Sequence, residues 1–168
     1  MRRQWIGGAG IALAIAVFGM PAVAQQLVQA GADGAIASAQ YSNDPDLRCD
    51  LLEVKRVSGG ALMVRWRIVN TAGQSAAGGG FASSSPGKAI RYSFHWDELF
   101  FIDPGENKKY LPLTDSANKQ IAQVYEGDLA PGQQRLSWAK FPAPPANSTK
   151  ISVTIPNFAP FEDASVAQ

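Results

Sequence analysis

Between Ala61 and Val69 large apolar and polar side chains alternate, with Leu62, Val64, Trp66 and Ile68 on one parity and Met63, Arg65, Arg67 and Val69 on the other. A period of two places the first set on one face of a β-strand and both guanidiniums on the opposite face. Leu51 to Val57 is a second β-rich run, joined to the first through Ser58-Gly59-Gly60, whose glycines supply the backbone freedom of a tight hairpin. Further strands are expected over Ile90–Phe94, Leu99–Ile102, Lys108–Leu113, Ile121–Tyr125, Arg135–Phe141 and Lys150–Ile155. The turns between them are marked by Asp103-Pro104-Gly105-Glu106-Asn107, Ala130-Pro131-Gly132-Gln133 and Pro142-Ala143-Pro144-Pro145. Pro112 cannot donate to a ladder and pushes its strand to a sheet edge. Seven or eight short strands with no convincing amphipathic helix predict an all-β, antiparallel β-sandwich.

The remaining segments read differently. Arg2-Arg3, the apolar stretch Ile6 to Phe18 and the small-x-small site Ala22-Val23-Ala24 have the three-part layout of a secretory signal peptide over residues 1–24. The alternative is an uncleaved anchor; Gly19, Pro21 and the cleavage site favour removal. Arg2-Arg3 partly matches a twin-arginine signal, and Cys49, the single cysteine, stands far from the position that lipid anchoring requires. Residues 25–46 are rich in Gln, Ala, Gly and Ser and are expected to form a flexible leader, with a short helix over Ala35–Gln40 as its one ordered option. Residues 47–161 are expected to hold the fold, and 162–168 a tail. Thr71 to Lys88 is an irregular Gly, Ala and Ser stretch whose composition favours disorder. Its Pro86-Gly87-Lys88 lacks the earlier Gly and the following Ser or Thr of a phosphate loop, since Ala82 and Ala89 stand there.

Charge and composition narrow the function. The chain of 168 residues carries 15 Lys plus Arg against 14 Asp plus Glu. Loss of Arg2 and Arg3 with the signal leaves 13 against 14, a net charge of −1, so nothing marks a nucleic-acid partner. One cysteine and one histidine supply neither an internal disulfide nor a common zinc site. His95-Trp96-Asp97-Glu98 is the one clustering of imidazole and carboxylates, and a metal there would need ligands from elsewhere, such as Asp103 or Glu106. Ser83, Ser84 and Ser85 lack a glycine elbow, and His95 would be the sole base available to them or to Cys49. Convergence of Asp103, Glu106, Asp115 and Asp128 would permit paired-carboxylate chemistry; such residues also serve hairpin turns. No enzyme, cofactor or metal is expected. Cys49 reads either as a thiol able to pair between chains or as a small buried hydrophobe.

Ile102-Asp103-Pro104, Lys108 to Leu113 with Asp115-Ser116, Leu129-Ala130-Pro131-Gly132, Trp138 to Pro145 and Ile151 to Pro156 carry a family likeness. Over roughly Leu51 to Phe161 the chain resembles exported bacterial immunoglobulin-like domains of largely undefined function, which occur alone or beside an OmpA-type peptidoglycan-binding domain. The resemblance implies an immunoglobulin-like sandwich, periplasmic or secreted, without catalytic residues to carry over. The expected role is a non-catalytic envelope module that binds another envelope protein, with cell-wall glycan as the alternative ligand and no stable membrane insertion after signal cleavage. Arg65 and Arg67 on one sheet face, and Trp96 and Tyr92 as exposed aromatic platforms, are the candidate contact residues. Trp138, central in its strand, is expected to face the core.

Overall fold

The computed structural model describes residues 29–30, 34–73 and 87–168. The signal segment 1–24, and residues 74–86 of the irregular stretch, lie outside them. Among the described residues there is no α-helix, and no helix long and apolar enough to cross a membrane.

Among the described residues twelve strands form, all antiparallel within their sheets. The larger sheet contains β1 (Gln29–Ala30), β2 (Ala37–Gln40), β3 (Leu47–Val57), β4 (Ala61–Asn70), β10 (Gln134–Pro142) and β8 (Ala122–Gln123), side by side in that order. A second sheet has the order β12 (Phe161–Ser165), β11 (Lys150–Thr154), β6 (Phe100–Asp103) and β7 (Lys108–Tyr110). A short ribbon pairs β5 (Ile90–Tyr92) with β9 (Gly127–Leu129). The three sheets share one core, in which Leu51, Trp66 and Phe141 of the larger sheet join Phe101, Val153 and Phe161 of the second and Tyr92 and Leu129 of the ribbon. This arrangement is consistent with a β-sandwich. Phe101 stacks on Tyr110 at 4.5 Å and meets Phe141 edge-on at 5.4 Å, and each such ring contributes about 1.5–3 kcal/mol by leaving water.

The β3–β4 hairpin forms as the sequence predicts, with Gly59 and Gly60 at φ of +81° and +67°. Strand β3 changes parity on the way to it. Cys49 and Leu51 point inward on odd numbers, but Val54 does so on an even one, because a bulge at Leu52 inserts one residue against β4. The same device recurs where β12 meets β11: Phe161 and Ala164 are both buried, and Asp163 between them sits at φ +54°.

Two expectations about the ends are corrected. The leader is not unstructured over its second half: Ala37–Gln40 is a strand, not a helix, paired with Leu51 to Arg48, and Ala39 is fully buried. Tyr41 is buried on a bridge to Phe158, and Asp46 is buried as well. The run Ala37-Ser38-Ala39 contains no β-branched or aromatic side chain, so its composition does not declare a strand. The expected tail is likewise a strand. After β12 the chain crosses to the larger sheet, where Ala167 donates to the Val54 carbonyl and accepts from the Arg56 amide, closing one side of the sandwich.

Candidate interaction surface

The outward face of the larger sheet is set by register. Arg67 of β4 lies between Asp50 of β3 and Leu136 of β10; Arg65 lies between Glu53 and Trp138; Met63 lies between Lys55 and Lys140. The inward parity of β10 belongs to Ser137, Ala139 and Phe141, all buried. Small Ser137 and Ala139 stand opposite bulky Trp66 and Val64, which is how the two strands fill one layer without clash. That parity turns Trp138 outward. It is half-buried, its indole N–H donates to Gln123 at 3.3 Å, and the expectation of a core Trp138 is corrected. Leu136 is 56% exposed on the same face.

Asp50 organises the centre of this face. Its side chain is fully buried and accepts from Ser38 Oγ at 2.6 Å and from Arg67 Nε and Nη2 at 3.0 and 2.6 Å. Arg48 adds a hydrogen bond from Nη2 at 3.1 Å, and its Nε stands 2.8 Å from Oδ1 as an ion-pair contact. Two guanidiniums therefore share one carboxylate and retain an unmatched positive charge. Arg65 reaches Glu53 only at 3.5 Å and stays 47% exposed. The sequence reading put Arg65 and Arg67 on one face, and so they are; it gave no hint that Arg67 is tied down and Arg65 is not.

The aromatic candidates separate. Trp96 begins a single-turn 3-10 helix, Trp96–Glu98, and is 37% exposed, with its ring held edge-on to Phe94 at 5.0 Å. Tyr92 is fully buried between Tyr41, Phe94 and Phe158. Burial, with the nearby Cys49 and Tyr41, pushes its hydroxyl pKa far above the ordinary range. The expectation of Tyr92 as an exposed platform is corrected; Ile90 and Tyr92 share the inward parity of a three-residue strand.

His95, Asp97 and Glu98 are exposed beside Trp96, and among the described residues no three His, Cys, Asp or Glu side chains gather as metal ligands would. Of the four acids considered for convergence, Asp103 and Glu106 border one surface cavity of ≈ 270 Å³. Asp103 accepts from Ser148 Oγ at 2.5 Å and the Gly105 amide at 2.9 Å, while Glu106 accepts from Tyr110 at 2.8 Å. Asp115 instead closes its own turn with the amides of Ala117 and Lys119, and Asp128 faces Arg91 at 3.6 Å. The cavity lies against the β10–β11 loop, whose carbonyls at Pro144, Pro145 and Ser148 accept from Arg56. Asp103 and Arg56 thus hold one loop from two sides, a structural use of both charges. Cys49 is fully buried, and burial raises its thiol pKa well above the usual value, so the thiol is a small core side chain.

Leu136, Trp138, Lys55 and Lys140 are the surface residues that sequence reasoning missed. Counting parity back from Phe141 would have found Leu136 and Trp138. Comparison of the chain with family models, with curated proteins and with solved structures returned no significant match.

Proposed function

We propose that this chain is an exported, non-catalytic module of the bacterial cell envelope, with an immunoglobulin-like sandwich that works by binding another envelope protein. The observation that carries the reading is Leu136, an apolar side chain 56% exposed on the outward face of the larger sheet, flanked there by Trp138 and by a guanidinium held in place by Asp50. Apolar anchors beside oriented arginines are the composition of protein interfaces. The three-part amino-terminal segment supports export to the periplasm or the medium, and cleavage after Ala24 is checked by the amino-terminal sequence of the exported product. The binding role is tested by cross-linking the protein in intact cells and identifying what is attached. A discrete envelope partner supports the module; recovery of the monomer alone at native abundance overturns it.

The second reading, a glycan ligand, is favoured by Trp96, whose ring is partly open and whose neighbours Asp97 and Glu98 are exposed polar groups of the kind that bind sugar hydroxyls. Retention on purified sacculi or polysaccharide that disappears in Trp96→Ala is its signature.

A further inference from the structure

We infer that the outward face of β3, β4 and β10 is a docking surface for an acidic protein segment that also carries apolar side chains; this rests on the interaction-module reading and names the partner's chemistry. Register gathers five cations on this face, Arg48, Lys55, Arg65, Arg67 and Lys140, against two carboxylates, Asp50 and Glu53. The chain without its first 24 residues is slightly acidic, so positive charge is concentrated here rather than spread. Asp50 is saturated: its two oxygens already accept from Ser38, Arg48 and Arg67. Arg48 and Arg67 are 12% and 14% exposed and largely committed to Asp50, so the donors open to a partner's carboxylates are chiefly those of Arg65, Lys55 and Lys140. Asp50 also fixes the orientation of Arg48 and Arg67, which lowers the entropy lost when a partner arrives. Leu136 and Trp138 lie on β10 next to this charge, so a purely polar polyanion would leave them unused. A segment alternating acidic and apolar residues satisfies both features at once.

The test uses the protein purified in its exported form and a labelled 12-residue peptide of alternating Glu and Leu, followed by fluorescence anisotropy. Controls are the Lys–Leu peptide of the same pattern, polyglutamate, phosphatidylglycerol vesicles and dextran sulfate. The expected result is binding of the Glu–Leu peptide, at least tenfold weaker in 500 mM than in 50 mM NaCl. Arg65→Glu with Lys140→Glu should weaken it at least tenfold and Leu136→Ser several-fold, and the Lys–Leu peptide should not bind. Leu136→Glu, which sets a negative charge in place of an apolar side chain at a position 56% exposed, serves as a second variant should the double substitution unfold. Equal binding of both peptides, insensitivity to charge reversal, or stronger binding to vesicles or dextran sulfate overturns the inference. Cross-linking in intact cells then separates the two levels: a partner still captured by the charge-reversed protein leaves the module standing and rejects this face, whereas no partner for any variant rejects the module itself.

Discussion

Replacing Asp50 by Ala is expected to be among the most damaging single changes outside the hydrophobic core. The carboxylate is the shared acceptor for Ser38, Arg48 and Arg67, with contacts of 2.6–3.1 Å. Its loss leaves two guanidiniums, 12% and 14% exposed, with no counter-charge. Breaking a buried ion pair from one side costs about 3–5 kcal/mol, because the remaining charge stays desolvated. The Arg48 and Arg67 heads lie near a surface and can swing towards water, which places the expected loss near the lower end, about 3 kcal/mol. For a domain of this size that corresponds to a fall in Tm of roughly 10 °C. Guanidinium chloride unfolding followed by tryptophan fluorescence measures it as a shifted midpoint at unchanged slope. Asp50→Asn, which keeps the shape but not the charge, should fall between wild type and Ala. A double-mutant cycle with Arg67→Ala should show coupling of at least about 1 kcal/mol. A loss below about 1 kcal/mol for Asp50→Ala, or additive effects in the cycle, would refute the view that these residues act as one network.

Other expectations concern the core and the loops. Trp66 is fully buried with an indole N–H that has no hydrogen-bond partner among the described residues, so Trp66→Phe removes an unsatisfied donor along with volume. It should cost no more than about 1–2 kcal/mol, against about 3–5 kcal/mol for Trp66→Ala, both read from denaturant midpoints. Arg56→Ala releases the carbonyls of Pro144, Pro145 and Ser148; about 2 kcal/mol of stability should be lost, with new proteolytic cleavage in the β10–β11 loop seen by mass spectrometry. Cys49 should resist thiol reagents in the native state and react on unfolding. Its raised pKa means that the folded chain keeps a proton which the unfolded chain releases above about pH 8.5. The linked stability is fully present below that pH and declines as pH rises above it, a slope that Cys49→Ala should abolish in midpoints measured from pH 7 to 9.5.

What was legible in the sequence was whatever a single strand declares about itself. The alternation over Ala61–Val69 and the Gly59-Gly60 turn sufficed for the central hairpin; β7 does lie at a sheet edge, but it ends at Tyr110, so Pro112 falls outside it and is not what puts it there. Two kinds of information were not local. Ala37–Gln40 becomes a strand because β3 offers it an edge, and nothing in Ala-Ser-Ala announces that partner. The bulges at Leu52 and near Asp163 each shift parity by a residue, so inward and outward positions cannot be carried along β3 or β12 by counting alone. Tyr92 was misassigned although its period was legible: Ile90, Tyr92 and Phe94 alternate with Arg91 and Ser93 and all three are buried, so parity alone places Tyr92 inside.

The same distinction bears on function. Arg65 and Arg67 are neighbours of like parity on β4, and a sequence treats them as equivalent. Register makes them different: Arg67 meets a carboxylate already committed to Ser38 and Arg48, while Arg65 meets Glu53 at a distance that holds little energy in water. A residue bound into a buried network resists replacement for reasons of stability, whatever the protein binds. An exposed residue with a weak partner is the one whose substitution reports on recognition. Loss of partner binding in Arg67→Ala would therefore be ambiguous, and loss in Arg65→Glu at unchanged Tm would not. The clearest functional information on this face is expected at Arg65, Leu136 and Lys140, where side chains are at least partly open and few of the fold's own contacts depend on them.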